Sequence, residues 1–200
     1  SLKNADGVIP NTWWTFEEVG HTDTAKKELL DVLSEHTITF STPKPVQLVE
    51  RILRIATKPS DLILDFFAGS GTTAHAVLKL NQEDGGNRRF ILVSNTEATT
   101  DAPDKNLCRN VCAERVRRVI AGYRNKKGEW VEGLGGDLLA MHGAGFAYLR
   151  ARRIPAEMIL SRIEHEQIWT ALQLIHTETL TPFDAAALVQ QAETENGVML

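Results

Sequence analysis

Apolar positions recur at helical spacing in two early stretches. Ala25, Leu29, Leu30 and Leu33 predict a short helix, with Asp23 or Thr24 as its cap. Val46, Val49, Ile52, Leu53 and Ala56 predict a second, opened by Pro45 in its first turn and ended before Pro59. The preceding Phe40–Pro45 stretch carries two prolines and reads as extended. The pattern then changes to short continuous apolar runs. Leu62–Phe67 and Arg89–Ser94 read as buried parallel strands, separated by a helix that begins near Ala74 and by the loop Asp84–Asn87. A long helix is predicted from about Lys105 to Ala121, stopped by Gly122. Residues 1–22 read as irregular and 125–136 as a polar, glycine-rich loop. A further strand is expected within Leu138–Met141 or Phe146–Ala151, and two amphipathic helices beyond Pro155, split near Pro182.

Strand–helix–strand–helix alternation implies an α/β fold with a parallel sheet and crossover helices. The expected division is 1–150 for this α/β region and 151–200 for a helical appendage.

Composition narrows the class. Of the 200 residues, 42% are hydrophobic and 24% charged, which suits a folded globular domain. No apolar run reaches the roughly 20 residues that span a bilayer, so no membrane partner is expected. Cys108 and Cys112 lie four apart on one helix face. They form no disulfide framework and lack partners at metal-ligand spacing. A cytoplasmic location and no metal site follow as expectations. The net charge of −4 does not favour a DNA-gripping surface, because phosphate contacts dominate DNA affinity. Arg115, Arg117, Arg118, Arg124, Lys126 and Lys127 cluster near one helix end, and Arg150, Arg152 and Arg153 further on. A solvated face is the expected role of both groups, with contact to a DNA backbone as the lesser alternative. Trp13 and Trp14 are expected in core packing, His75 in packing or at the surface. The stripe Met158, Ile159, Ile163, Ile168, Leu172 and Ile175 is expected in a core or an interface.

The chemistry concentrates in Asp65-Phe66-Phe67-Ala68-Gly69-Ser70-Gly71-Thr72-Thr73-Ala74. A strand ends, the backbone turns on two glycines, and a helix begins whose first amides lack intrahelical acceptors. Ligands of open parallel sheets bind at such strand ends. Gly69-x-Gly71-x-x-Ala74 also fits the dinucleotide fingerprint, but a pyrophosphate would meet repulsion from the Asp65 carboxylate. A zwitterionic amino acid offers Asp65 an ammonium to hold. Glu97, with Asn95 as a substitute, lies beyond the second strand where an acceptor for ribose hydroxyls is expected. An amine-binding aspartate, a glycine turn and a ribose acceptor together describe a site for S-adenosyl-L-methionine.

Asp65, Phe67, Gly69, Gly71, Thr72 and Thr73 match, position for position, motif I of the amino-group DNA methyltransferases. Phe40, Thr42, Lys44, Pro45 and Leu48 resemble their motif X. Motif X ahead of motif I marks the beta group, and the chain is most similar to the modification subunits of type III restriction–modification systems. Gly20–Leu29, Gly85–Val93, Cys112–Tyr123 and Gly145–Tyr148 carry further likeness, so the resemblance covers about residues 11–150. It implies a partial Rossmann-like methyltransferase sheet with C-terminal helices. It also implies methyl transfer to an amino group of DNA, adenine N6 ahead of cytosine N4. Asp65, Phe67, Ala68, Gly69, Ser70, Gly71 and Thr72 would line the cofactor, with Thr42, Lys44, Pro45, Asn95 and Glu97 nearby.

The family's catalytic tetrapeptide, (Asp/Asn/Ser)-Pro-Pro-(Tyr/Phe), has no counterpart here, since no two prolines are adjacent. That motif holds the base amine and stacks on the flipped base. No catalytic residue is therefore expected in this chain, which reads as a fragment or one piece of a split protein, inactive alone. DNA would be engaged through a recognition region outside these residues. An exposed strand edge is expected, open to a homodimer or to a separate catalytic or restriction subunit. Two other readings stay open: a non-catalytic S-adenosylmethionine-binding or assembly module, and a nicotinamide-dependent oxidoreductase.

Overall fold

The computed structural model describes residues 11–34, 40–136, 145–151, 153, 155–158, 163–177, 180–187, 190, 192–194 and 197–199. The chain divides into two compact units, Ser1–Phe146 and Ala147–Leu200.

The first unit opens with α1 (Phe16–Val19) and α2 (Thr22–Val32). The His21 amide donates to Thr24 Oγ1 at 3.1 Å, and His21 is the N-cap of α2, where Asp23 or Thr24 was expected. Helix α3 (Val46–Ala56) follows Pro45, whose extended ψ of 139° makes it the N-cap. Strand β1 (Leu62–Asp65) leads through the glycine turn into α4 (Thr72–Asp84), and the chain returns as β2 (Arg89–Leu92). The strands pair in parallel from Leu62↔Arg89 to Asp65↔Leu92. Parallel neighbours need a crossover, and α4 is that crossover.

Helix α4 is the centre of the unit. Ala76, Val77 and Leu80 pack with Val46 and Leu53 of α3, and Ile63 and Phe90 of the strands press on the same cluster. Ala74 packs with Val116 and Ile120, joined by Phe90, Leu92 and Phe146. The third cluster gathers Leu29, Val32 and Leu33 with Leu107, Val111 and Val119.

The other sheet face carries none of these clusters among the described residues. Leu62, Leu64, Phe66, Ile91 and Val93 alternate along the two strands and are 45% to 62% exposed. Both strands were expected to be buried. Among the described residues the sheet has two strands, and the apolar clusters cover only the Ile63, Phe90 and Leu92 side.

The expected long helix divides into a π-helix (Cys108–Ala113) and α5 (Glu114–Ala121). A hairpin of β3 (Tyr123–Arg124) and β4 (Trp130–Val131) follows it, and its second strand lies within the stretch expected to be loop. Asn125 builds its turn: the side-chain oxygen accepts from the amides of Lys127 and Glu129, both at 2.9 Å. Trp13 is 75% exposed, and Trp14 stacks under the Arg51 guanidinium at 4.9 Å, so the expected core packing of this pair is not found.

In the second unit, a 3-10 turn (Ala156–Met158) precedes α6 (His165–His176). Its buried line is Trp169 and Gln173, whereas Ile163, Ile168 and Ile175 are exposed. Gln173 Oε1 accepts from Thr181 N at 2.7 Å, and Trp169 Nε1 donates to the Thr181 carbonyl at 3.0 Å. These bonds fix the helix to the segment that returns past it. The apolar isoleucine stripe therefore does not decide which side packs inside this unit. Beyond Pro182, β5 (Ala192–Thr194) and β6 (Gly197–Met199) form an antiparallel pair where a helix was expected. The expected strand at Leu138–Met141, and Arg152 and Ile159, lie outside the described residues. Residues 145–151 form no strand.

Candidate functional site

The site grows from the end of β1. Asp65 is half-buried, and both of its carboxylate oxygens face the turn: Oδ1 accepts from the Phe67 amide at 2.9 Å and Oδ2 from Thr73 Oγ1 at 2.6 Å. Each oxygen keeps a lone pair for another donor. The Ala68 amide donates to the Val93 carbonyl at 3.1 Å, tying the turn to the end of β2. The Gly71 amide closes the turn on the Ala68 carbonyl at 2.7 Å. The amides of Gly69 and Ser70 donate to no acceptor among the described residues. A carboxylate and two unengaged amides thus share one tight turn, an arrangement suited to the two charged ends of an amino acid.

Gly69 and Gly71 sit at φ +51° and +77°, where a Cβ clashes with its own backbone. Their bare sides do not face open space. A Cβ on Gly69 would meet the Phe40 ring at 3.2 Å, and one on Gly71 would meet the Cys112 carbonyl at 3.1 Å and its sulfur at 3.2 Å. The glycines therefore admit protein groups behind the turn, not the close ligand approach that the spacing suggested.

The structure gathers most of the expected site residues. Phe67 projects into solvent, 93% exposed. Ala68, Ser70 and Thr72 point inward and are buried, so their side chains support the turn from beneath. Thr72 Oγ1 donates to the Lys44 carbonyl at 3.2 Å, and Pro45 is buried beside it. Thr42 and the Lys44 side chain are exposed. Asn95 and Glu97 follow β2 on the exposed side, and the Glu97 carboxylate pairs with Lys105 at 3.0 Å. Glu97, in the loop after β2, has φ +51°, the left-handed region in a non-glycine residue.

Sequence reasoning missed the support under the turn. The charge pattern places Arg115 among solvated cations, yet it is fully buried. Its Nη1 donates to Ser70 Oγ at 3.3 Å and Thr72 Oγ1 at 3.0 Å, and its Nη2 to His75 Nδ1 at 3.1 Å. A guanidinium only donates, so His75 Nδ1 is an acceptor and the ring proton sits on Nε2. Burial, then the charges of Arg115 and Lys79, hold the His75 pKa well below its usual 6.5. The signal was available: Arg115 falls on the helix line of Cys112, Val116 and Val119, all buried. Cys112, against Gly71, has its thiol pKa pushed up to about 12, chiefly by burial. Among the described residues no group of three His, Cys, Asp or Glu could hold a metal ion, and no helix is long and apolar enough to cross a membrane.

A helix-backed parallel pair with a glycine turn and carboxylate at the strand end defines a mixed α/β protein compatible with the methyltransferase fold. The chain belongs to the DNA methylase family, whose profile matches residues 2–102. It is 38% identical over 126 residues to the Mod subunit of the type III restriction-modification enzyme StyLTI of Salmonella typhimurium, a match covering 60% of this chain and 19% of that subunit. Against the EcoPI Mod subunit of Escherichia phage P1, identity is 46% over 88 residues, or 44% of this chain and 13% of the relative. Against the type II methyltransferase M.KpnI of Klebsiella pneumoniae it is 42% over 80 residues, or 40% and 19%. Each match thus spans less than a fifth of the relative's length.

Proposed function

We propose that the glycine turn binds S-adenosyl-L-methionine, and that this chain is the cofactor-binding part of a site-specific DNA methyltransferase acting on an exocyclic amino group, adenine N6 ahead of cytosine N4. The observation that carries the reading is Asp65. A carboxylate whose two oxygens line the turn suits an ammonium and repels a pyrophosphate. The Gly69 and Ser70 amides would take the carboxylate of the same amino acid, Phe67 would flank it, and Lys44 and Pro45 would hold the turn from the side. Asn95 or Glu97 would accept from the ribose hydroxyls; Glu97 would exchange its exposed Lys105 pairing to do so. When bound, the cofactor supplies an electrophilic methyl group. This chain's residues orient it, and the group that holds the DNA amine comes from elsewhere.

The exposed sheet face supports the same reading. Five large apolar residues in alternate positions fit a Rossmann-like sheet that is completed by a further layer. That layer would come from the segment with the catalytic motif and the DNA-recognition region, on the same chain, on a second copy or on a separate subunit. Residues 1–150 would then form the cofactor-binding region and 151–200 an appendage. The reading includes a cytoplasmic location, where Cys108 and Cys112 stay reduced.

Calorimetric titration of the chain with S-adenosylmethionine tests this. Asp65→Ala should weaken binding about 30-fold or more, the usual loss for a charge-assisted bond. NAD should not bind. Binding of NAD in place of S-adenosylmethionine, or an unchanged Asp65→Ala variant, overturns the reading.

A further inference from the structure

Arg115 is a buried cation that nothing so far accounts for. It is 0% exposed, and no carboxylate lies within ion-pair distance of it among the described residues. Its Nε has no hydrogen-bond partner. Glu28 supports it only through the longer-range field, standing 3.8 Å from the His75 nitrogen that Arg115 itself contacts. An unpaired buried guanidinium opposes folding, and an apolar side chain of similar volume in its place often stabilises a core. Packing alone therefore does not explain it.

What Arg115 does touch is the underside of the proposed cofactor turn. One guanidinium nitrogen holds Ser70 and Thr72, and the other holds His75 in the first turn of α4. Because it can only donate, both hydroxyl oxygens are acceptors toward it, and their hydrogens must point elsewhere. The Thr72 hydrogen goes to the Lys44 carbonyl, which links the guanidinium to the segment before α3. The π-helix makes this reach possible. It seats Cys112 against Gly71 and brings Arg115, three residues on, beneath Ser70 and Thr72. A local π segment of this kind recurs at functional sites.

We propose that Arg115 is a positioning residue for cofactor binding: from beneath, it locks the glycine turn, and its charge favours a carboxylate against the turn's amides. Asp65 and Arg115 then form opposite poles of one site, matched to the ammonium and carboxylate of an amino acid. This rests on the S-adenosylmethionine reading and adds the residue that selects the amino-acid end.

The test is calorimetry on the full 200-residue chain with two ligands, S-adenosylmethionine and methylthioadenosine, which shares the nucleoside and sulfur but lacks the amino-acid end. Arg115→Met should weaken S-adenosylmethionine about 30-fold, Arg115→Lys should recover part of the loss, and methylthioadenosine affinity should stay within about twofold. A purely structural arginine would weaken both ligands together, and that result overturns the proposal, as does an unchanged affinity in both variants. If Arg115→Met fails to fold, the double variant Ser70→Ala/Thr72→Val removes the two acceptors and keeps the buried charge. It should lose about 10-fold for S-adenosylmethionine alone, and no loss overturns the proposal. Wild-type chain that binds no S-adenosylmethionine defeats the broader reading; binding that ignores Arg115 defeats only this one.

Discussion

Gly71→Ala should lose both stability and cofactor affinity. Alanine at φ +77° costs about 1–2 kcal/mol. Its Cβ would also arrive 3.1 Å from the Cys112 carbonyl and 3.2 Å from its sulfur. The carbonyl belongs to a packed helix and cannot swing away, so crowding brings the total to about 2–4 kcal/mol. Gly85 is the internal control. It shares the left-handed backbone at φ +68°, but its Cβ would meet nothing within 4 Å. Gly85→Ala should therefore show the conformational cost alone, with ligand binding intact. Urea denaturation of both variants measures the difference, and Cys112→Ala should relieve part of the Gly71→Ala penalty. Equal losses at the two glycines would show that contact between turn and π-helix contributes nothing.

The second large effect is acid sensitivity through His75. Burial keeps this ring neutral in the folded chain, with Arg115 and Lys79 adding repulsion and Glu28 facing it from α2. The unfolded chain takes up a proton near 6.5, but the folded one does not. The stability conferred is thus complete above that value and is lost as pH falls from it toward the lower folded pKa, at up to about 1.4 kcal/mol per pH unit. The Glu28 carboxyl, pushed above its usual 4.5 mainly by burial, acts in the opposite sense: its contribution is complete below 4.5 and declines as pH rises through the folded value. Comparison with His75→Gln isolates the ring, because glutamine retains an acceptor for Arg115. Between pH 7.5 and 5.5 the variant should lose about 1 kcal/mol less than the wild type in denaturant titrations. Identical losses would place a proton on His75 in the folded state.

The parts of the fold set by local rules were legible in the sequence. Pro45 marks the start of α3, and Asp65 to Thr73 spell a strand, turn and helix, because turn chemistry and capping depend on neighbouring residues. Features that depend on distant partners were not. Arg115 reads as a surface cation until Ser70, Thr72 and His75 converge on it from 40 to 45 positions upstream in the chain. Leu62, Leu64 and Ile91 read as buried, since hydrophobicity records what a residue prefers and not whether a second layer covers it. The hairpin at Tyr123–Val131 was hidden in a polar stretch, although Asn125 and Gly128 hold the turn signal. Trp169 and Gln173 bury together because Thr181 satisfies their polar atoms, which an apolar stripe cannot reveal.

The turn from Asp65 to Thr72 is the proposed site for S-adenosylmethionine. Its most direct test is the backbone amide NMR spectrum of the chain titrated with S-adenosylmethionine and, separately, with NAD. S-adenosylmethionine should shift the Gly69 and Ser70 amides first and most, while NAD leaves them in place. Shifts with NAD instead, or no shift with either ligand, would rule this site out.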